Sequence, residues 1–426
     1  MEGSDGETLR AVVRVCRGAS PAEVLDVTSA EAWVAFDAGV RNLDDRPWLS
    51  PRPPEKPARP ARTLLDRLRG TALPRTAPPP PSPPPLAIAL CHPDGRVREA
   101  ALEEARTAPE LRPLLVVRCS DWALPVRERA RALLAELPGS ALLPLAELIL
   151  LLSRRSRGEG ARSLLERALR EGPAADVVAL TARRDRATYR LAYRIAVERG
   201  LLTPAELATT AATTGDVTLQ DLCAEAAVAA LPEREPDGHA VGDEAVAVLG
   251  RLLTARAARV RAAGVTALRR TGRHGEARPF LADRSAVVRA CARYVLRQGG
   301  IDPLPVCRAL CAEPAARPGA AAGLGECGER GADADRLWAL VEHPVPAVRL
   351  HAITGLRALD EVVRERLTPS LDDPSPAVVR AATGALLPEA AGIPEALLRE
   401  RTAPERPRAV RVAAKRLLRA AGRSSG

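Results

Sequence analysis

The stretch from Leu281 to Leu387 repeats one pattern four times in succession. Each copy has an acidic or polar turn and usually a Val–Arg pair, with a small residue three positions after the arginine and an apolar residue seven positions after it. These offsets lie on one face of an α-helix. A unit of 28 to 32 residues that cannot bury its own apolar face must stack on its neighbours. The pattern therefore predicts an all-α fold, a solenoid of stacked helix pairs.

The same pattern can be followed back to residue 86. Taking the arginine of each Val–Arg pair, or the residue in its place, as an anchor gives eleven copies, at Arg98, Arg127, Arg162, Arg190, Asp221, Arg261, Arg289, Arg317, Arg349, Arg380 and Arg411. The copy at Arg162 matches weakly, and at Asp221 an acid replaces the arginine. We predict a right-handed α-solenoid of about eleven helix pairs over residues 86–421, in which the pattern marks the inner helix. Residues 422–426 are predicted to form a disordered tail.

Two segments precede the repeats. Residues 1–43 are predicted to be a short helical region, a degenerate repeat or a cap, because capping-box spacing at Ser20 and Thr28 precedes an apolar stripe that contains Trp33 and Phe36. Residues 44–85 hold 14 of the chain's 39 prolines and predict an extended linker. Because few contacts should cross such a linker, we expect the repeats to fold without residues 1–85.

Composition limits the core and the compartment. Aromatic residues make up 2% of the chain against 46% hydrophobic residues, so the core must consist of Ala, Leu and Val. The eight cysteines form no C-x-x-C pair, no signal segment is readable, and the longest apolar run, residues 141–152, is too short to span a bilayer. We expect a cytoplasmic monomer that does not enter the membrane.

The net charge of +10 is weak evidence for nucleic-acid binding. All basic residues but Lys56 and Lys415 are arginine, a skew that coding bias alone can produce. Nucleic acid therefore stays an alternative partner only.

The repeats resemble HEAT repeats, and in particular the short bacterial kind that is similar to phycobilisome-lyase repeats. The resemblance depends on an Asp-x5-Arg spacing, seen from Asp121 to Arg127 and from Asp283 to Arg289. Asp373 to Arg380 is one residue longer, and His343 replaces the aspartate before Arg349. The resemblance implies a charge ladder between neighbouring repeats, formed here by Asp121, Arg127, Asp283, Arg289, Arg349, Asp373 and Arg380. It also implies a scaffold or adaptor role.

The sequence offers little support for catalysis. Charges that recur in successive repeats indicate a structural role, because a catalytic group needs a singular environment. No His–Glu dipeptide occurs, which disfavours the iron-dependent hydroxylases with HEAT-like repeats, and no histidine lies near the cysteines of adjacent repeats, Cys291, Cys307, Cys311 and Cys327. We predict no enzyme activity, no metal and no cofactor, with a bilin-lyase or hydroxylase type of enzyme as an alternative.

One row of arginines predicts a binding surface. Eight positions after the anchor lie Arg106, Arg170, Arg269, Arg297, Arg357 and Arg419. Equivalent positions of stacked repeats form a row, which would complement an acidic protein on the concave inner-helix surface. The alternative is that arginine simply favours helix C-termini. We therefore predict a non-enzymatic scaffold that binds an acidic protein partner, with a nucleic-acid-binding solenoid as the alternative.

Overall fold

The computed structural model describes residues 2–42, 85–155, 157–233 and 242–424, which contain helices and no strand. The predicted all-α fold is confirmed for these residues. The predicted linker lies outside them except for Pro85. The last helix extends to Ser424, three residues into the predicted tail.

The chain divides into two compact units, residues 1–201 and 202–426. The α-helices of the first unit are α1 (Glu2–Cys16), α2 (Ala30–Arg41), α3 (Leu86–Cys91), α4 (Gly95–Ala105), α5 (Arg112–Arg118), α6 (Leu124–Ala135), α7 (Ala146–Ser153), α8 (Glu159–Glu171), α9 (Ala174–Thr181) and α10 (Arg186–Glu198). Short 3-10 helices occupy Pro21–Glu23, Pro109–Leu111 and Gly139–Leu145.

The second unit continues in the same manner. Its α-helices are α11 (Pro204–Thr213), α12 (Val217–Ala229), α13 (Asp243–Leu253), α14 (Ala258–Arg270), α15 (Ala286–Gln298), α16 (Pro303–Leu310), α17 (Ala320–Gly325), α18 (Ala332–Val341), α19 (Pro346–Leu359), α20 (Arg364–Leu367), α21 (Pro376–Leu386), α22 (Glu395–Glu400) and α23 (Arg408–Ser424). The 3-10 helices are His274–Ala282, Thr368–Asp372 and Leu387–Gly392.

From α3 to α23 the described helices form eleven outer–inner pairs, which matches the number of copies in the sequence. The inner helices are α4, α6, α8, α10, α12, α14, α15, α17, α19, α21 and α23. The outer partner of α15 is the 3-10 helix His274–Ala282. The small residue three positions after the anchor is buried at Ala101, Ala130, Ala292, Ala352 and Ala414. These alanines therefore lie on the packed face of their inner helices, where the pattern places them.

Helices α1 and α2 do not extend the stack of pairs. Helix α2 packs against three successive outer helices, α3, α5 and α7, and buries Trp33, Phe36 and Val40. Its N-cap is Ser29, one residue after the predicted Thr28, and the Ser29 hydroxyl accepts a hydrogen bond from the Ala32 amide. Because α2 packs on these helices, we expect the first repeats to depend on it for stability, in contrast to the expectation from the sequence.

Two glycines of the second unit let neighbouring inner helices approach each other closely. A Cβ atom added to Gly325 of α17 would lie 2.1 Å from the carbonyl oxygen of Gly355 in α19. Gly355 in turn faces the carbonyl oxygen of Ala321, at 2.4 Å from its own added Cβ atom. The two backbones therefore touch, and neither position has room for a side chain.

Replacing Gly325 by alanine is expected to lower the free energy of unfolding by about 1–3 kcal/mol, because the new methyl group must push two helix backbones apart. This loss would outweigh the gain of about 1 kcal/mol that alanine brings to a helix. The matched control is Gly250→Ala in α13, where an added Cβ meets nothing within 4 Å. Urea unfolding followed by circular dichroism should show the control to be neutral or stabilised, and equal behaviour of the two variants would contradict the close contact.

No single helix among the described residues is long and apolar enough to cross a membrane. Two neighbouring helical segments, Leu124–Ala135 and Gly139–Ser153, meet the length and composition requirement only when taken together, and they are bent by 119°.

Candidate protein-binding surface

Inner helices are tied to the next repeat by arginine–aspartate pairs. The guanidinium of Arg98 donates to both carboxylate oxygens of Asp121, at 3.0 and 2.8 Å. The same two-point contact joins Arg261 to Asp283 at 2.8 and 2.9 Å, and Arg349 to Asp373 at 2.8 Å for both bonds. Each pair connects residues 22 to 24 positions apart. In both units these contacts form a ladder of the kind that HEAT-like repeats imply.

Each ladder arginine also donates hydrogen bonds to the turn that precedes its own helix. Arg98, Arg261 and Arg349 donate to the carbonyl oxygens five and six residues before them. Arg127 and Arg289 make the bond to the sixth residue before them as well. Arg289 takes Glu326 as its carboxylate partner, with 3.1 Å between Nε and Oε2. Where a carboxylate partner is present, the guanidinium therefore connects the turn of its own repeat to the next repeat.

Histidine replaces aspartate at two turns. The Asp94 amide donates to Nδ1 of His92 at 3.0 Å, and the Val345 amide donates to Nδ1 of His343 at 3.1 Å. Asp283 and Asp373 accept equivalent bonds from the second residue after them. Because the sixth residue after His92 is Arg98, the turn of the first repeat begins at His92.

Two anchors predicted from the sequence lie one residue away from the ladder. The sixth residue after Asp373 is Val379, which is buried, so Arg380 is rotated by about 100° onto the exposed face of α21. In α12 the ladder position belongs to Gln220, whose side-chain amide donates to the Thr214 carbonyl at 2.8 Å. Its neighbour Asp221, taken as the anchor, is exposed. Both turns keep the regular offset of six residues, but the residue at that offset is not an arginine.

The first unit contains a fully buried charge cluster around Asp121. Arg98 and Arg118 both bond to its carboxylate, and all three side chains have no exposed surface. Arg118 also bonds to Asp37 of α2, and Arg41 of α2 lies 3.6 Å from Asp121. Burial alone would raise the pKa of the Asp121 carboxyl, but hydrogen bonds from Arg98 and the Ala123 amide and the charge of Arg118 hold that pKa below its usual value.

In the first unit the predicted arginine row is neutralised along the stack. Arg106 lies 3.0 Å from Glu136 of the next inner helix. Arg170 lies 3.2 Å from Glu198 of the next inner helix and 3.2 Å from Glu166 of its own. Acids at or beside the equivalent position of the next repeat therefore cancel the charge of this part of the row.

The second unit leaves its part of the row free. Arg269, Arg297, Arg357 and Arg419 are exposed in the C-terminal halves of α14, α15, α19 and α23. Within the described part of the chain, none of the four side chains takes part in a hydrogen bond or ion pair. They occupy equivalent positions of their helices, eight residues after the anchor, and so lie on one face of the second unit. This face of the second unit therefore carries uncompensated positive charge.

The last two inner helices frame an apolar groove on that face. Helices α21 and α23 enclose a volume of about 450 Å³, lined by Pro376, Val379, Arg380, Thr383, Arg408, Ala409, Val412, Ala413 and Arg416. Val379 and Ala413 form a buried floor, whereas 58% of Val412 is exposed. An exposed valine beside a buried apolar floor is the kind of surface that a partner covers.

Three arginines rim this groove. Arg380 of α21 and Arg408 and Arg416 of α23 are exposed, and no ion pair in the described residues involves them. Arg419 of the row follows Arg416 by three positions, on the same helix face. We name Arg380, Arg408 and Arg416 with their apolar floor the α21–α23 groove. The sequence pattern does not predict this groove, because it assigns Arg380 to the ladder.

Two of the four cysteines of adjacent repeats lie close together in the structure. The Sγ atoms of Cys307 and Cys327 are 3.4 Å apart. Among the described residues, no group of three or more His, Cys, Asp or Glu side chains is arranged to hold a metal ion.

No protein-family model matches the sequence, and no curated protein sequence matches it. Solved structures match it at low identity. An engineered protein is 16% identical over 79% of this chain and 98% of its own, with a TM-score of 0.24. Kap121p is 14% identical over 79% of this chain and 45% of its own, with a TM-score of 0.29. Importin beta is 12% identical over 92% of this chain and 67% of its own, with a TM-score of 0.26. Because these TM-scores are low, the fold assignment rests on the helix pairs and the ladder of this chain.

Proposed function

We propose that the protein is a non-enzymatic HEAT-like scaffold that binds an acidic, amphipathic protein segment in the α21–α23 groove. The observation that supports this proposal is the combination of an apolar floor with three free arginines, Arg380, Arg408 and Arg416. Apolar side chains of the partner would cover Val412 and the floor, and its carboxylates would pair with the rim. The free row arginines extend the same charge along the second unit.

A protein segment fits this groove better than a nucleic acid. Phosphate contacts need positive charge but no apolar floor, and single strands bind through aromatic stacking. The groove is lined by valine and alanine and contains no aromatic side chain. Duplex DNA would contact the arginines and leave Val412 exposed. An amphipathic helix would cover both.

The remaining sequence-based expectations belong to this proposal. A likeness to the short bacterial HEAT repeats rests on the spacing of the copies, and an adaptor role in the cytoplasm, as a monomer, rests on composition. The proposal of a non-enzymatic role rests on the recurrence of the ladder charges, which serve packing in successive repeats.

The test uses a synthetic helical peptide with leucines on one face and glutamates on the other. We expect it to bind the full chain, and we expect the triple substitution Arg380→Glu, Arg408→Glu and Arg416→Glu to weaken binding at least about tenfold, which corresponds to about 1.4 kcal/mol. The melting temperature should change little, because exposed charges contribute little to stability. Fluorescence anisotropy measures binding, and circular dichroism measures melting.

The matched control changes three exposed arginines of outer helical segments in the same unit, Arg251, Arg278 and Arg336, to glutamate. The net charge changes equally, so a loss that depends only on total charge would appear in both triple variants. Equal loss in both, or equal binding of a peptide with the same composition in scrambled order, would overturn the proposal. Duplex DNA that binds tighter than the peptide, with a steep salt dependence, would favour the nucleic-acid alternative.

A further inference from the structure

Cys307 and Cys327 form an asymmetric pair of thiols. Cys307 lies within α16 and is fully buried, whereas Cys327 lies in the turn after α17 and is half-buried. Their Sγ atoms are 3.4 Å apart, and both cysteines are free thiols in this structure. A disulfide needs about 2 Å between the sulfur atoms, so a movement of the turn by little more than 1 Å would allow the bond to form.

The surroundings favour Cys327 as the reactive sulfur. A hydrogen bond from Cys307 and the positive charges of Arg293 and Arg297 lower the pKa of Cys327. The hydrogen bond to Cys327 and burial raise the pKa of Cys307. While it is protonated, the Cys327 thiol can donate to the Gly323 carbonyl oxygen, 3.3 Å away. A half-exposed sulfur near two guanidinium groups is typical of reactive cysteines.

Other cysteines of the chain lack these features. Cys91, Cys119 and Cys223 are buried. Burial raises the pKa of Cys119 to about 12 and that of Cys223 to about 11. Cys311 is half-buried and lies one helical turn after Cys307, but burial raises its pKa to about 11. Thiols of this kind are slow to react.

We propose that Cys307 and Cys327 are a reversible redox pair whose substrate is a low-molecular-weight disulfide, with Cys327 as the attacking sulfur and Cys307 as the resolving sulfur. The proposal rests on the short distance between the sulfur atoms and on the difference in their exposure. It is independent of the groove and of the protein-binding role.

The exchange needs no reactant other than the small disulfide. The Cys327 thiolate attacks one sulfur of the small disulfide, a mixed disulfide forms, and one small thiolate leaves. Cys307 then attacks Sγ of Cys327, the mixed disulfide breaks, and the second small thiolate leaves. The proton of Cys307 passes to solvent or to the leaving thiolate. Two protein thiols are oxidised, and one small disulfide is reduced to two thiols.

The bond would act on the ladder of this repeat. Cys327 directly follows Glu326, which accepts hydrogen bonds from Arg289 and Arg293. A disulfide to Cys307 would fasten this turn to α16 and fix the position of the Glu326 backbone. Oxidation is therefore expected to stiffen the repeat and to raise the melting temperature of the chain.

The experiment treats the folded full chain with glutathione disulfide, blocks free thiols and maps the cysteines by peptide mass spectrometry. We expect a Cys307–Cys327 disulfide that dithiothreitol reverses. In Cys307→Ala we expect a lasting glutathione adduct on Cys327, formed at least about tenfold faster than any adduct on Cys91 or Cys119. Cys307→Ser serves as the second variant if the alanine variant does not fold.

Two further variants separate this pair from its neighbours. In Cys311→Ala the Cys307–Cys327 disulfide should still form, and in Cys327→Ala no adduct should appear on Cys307. A lasting adduct on Cys327 of the unmodified sequence without the internal bond would overturn the proposal. So would a disulfide that joins Cys311 or Cys291 to either member of the pair.

Discussion

Replacing Asp121 by alanine is expected to lower the free energy of unfolding by about 3–5 kcal/mol, because it leaves buried arginines without their shared carboxylate. The side chains of Arg98 and Arg118 have no exposed surface, and both bond to Asp121. A guanidinium cannot give up its proton to escape the cost of burial. Urea unfolding followed by circular dichroism measures the loss.

The comparison for this prediction is Asp94→Ala. Asp94 caps α4 through the Arg96 amide at 2.9 Å, and its side chain is exposed, so its loss should cost only about 1 kcal/mol. Asp121→Asn keeps an oxygen for the Ala123 amide but loses the charge, and it should fall between the two. Similar losses for Asp121→Ala and Asp94→Ala would show that the buried charges do not depend on each other.

Removing residues 2–42 is expected to destabilise the first unit strongly, by at least as much as the roughly 3–5 kcal/mol that the loss of one buried large aromatic side chain costs. Trp33 and Phe36 are buried against outer helices, and Asp37 bonds to the buried Arg118. The truncated chain should melt earlier and bind a hydrophobic dye through the bared sides of α3, α5 and α7. Thermal melting and dye fluorescence measure these effects.

Cleavage of the chain tests whether the N-terminal helices stay on the repeats through packing alone. A protease site placed within residues 43–84 allows the N-terminal piece to be released without a change in sequence elsewhere. Because α2 packs on three outer helices, the cleaved piece should stay bound during gel filtration. A piece that dissociates and leaves a remainder with unchanged melting would support the original expectation that residues 1–85 are dispensable.

The helices and their apolar faces could be predicted because both depend on local spacing. Offsets of −1, +3 and +7 from the anchor place Val288, Ala292 and Leu296 on one face of α15, and all three are buried. The same rule predicted eleven copies, and eleven helix pairs follow α2 in the described residues. It missed the ladder position by one residue at Arg380 and Asp221, and the anchor Arg317 precedes its inner helix α17 by three residues. In α21 the buried Val379 occupies the ladder position, six residues after Asp373, and Arg380 is the next residue.

The charged contacts could not be predicted in the same way, because each depends on a residue in another repeat. Arg106 and Arg297 occupy the same helix position in the sequence pattern. Glu136 of the next inner helix neutralises Arg106, whereas no acid in the described residues pairs with Arg297. Spacing along one helix does not specify which acid stands across the stack.

The sequence by itself determined the all-α repeat, the inner helices and the small residues between them, because the period of a helix sets which side chains share a face. The tertiary structure decided the rest. Stacking selected the carboxylate for each ladder arginine, placed α2 on the outer helices and brought Cys307 to Cys327. It also joined α21 to α23 around a groove whose two walls are about 30 residues apart in the chain. These contacts depend on how helices pack against one another, which no local period encodes.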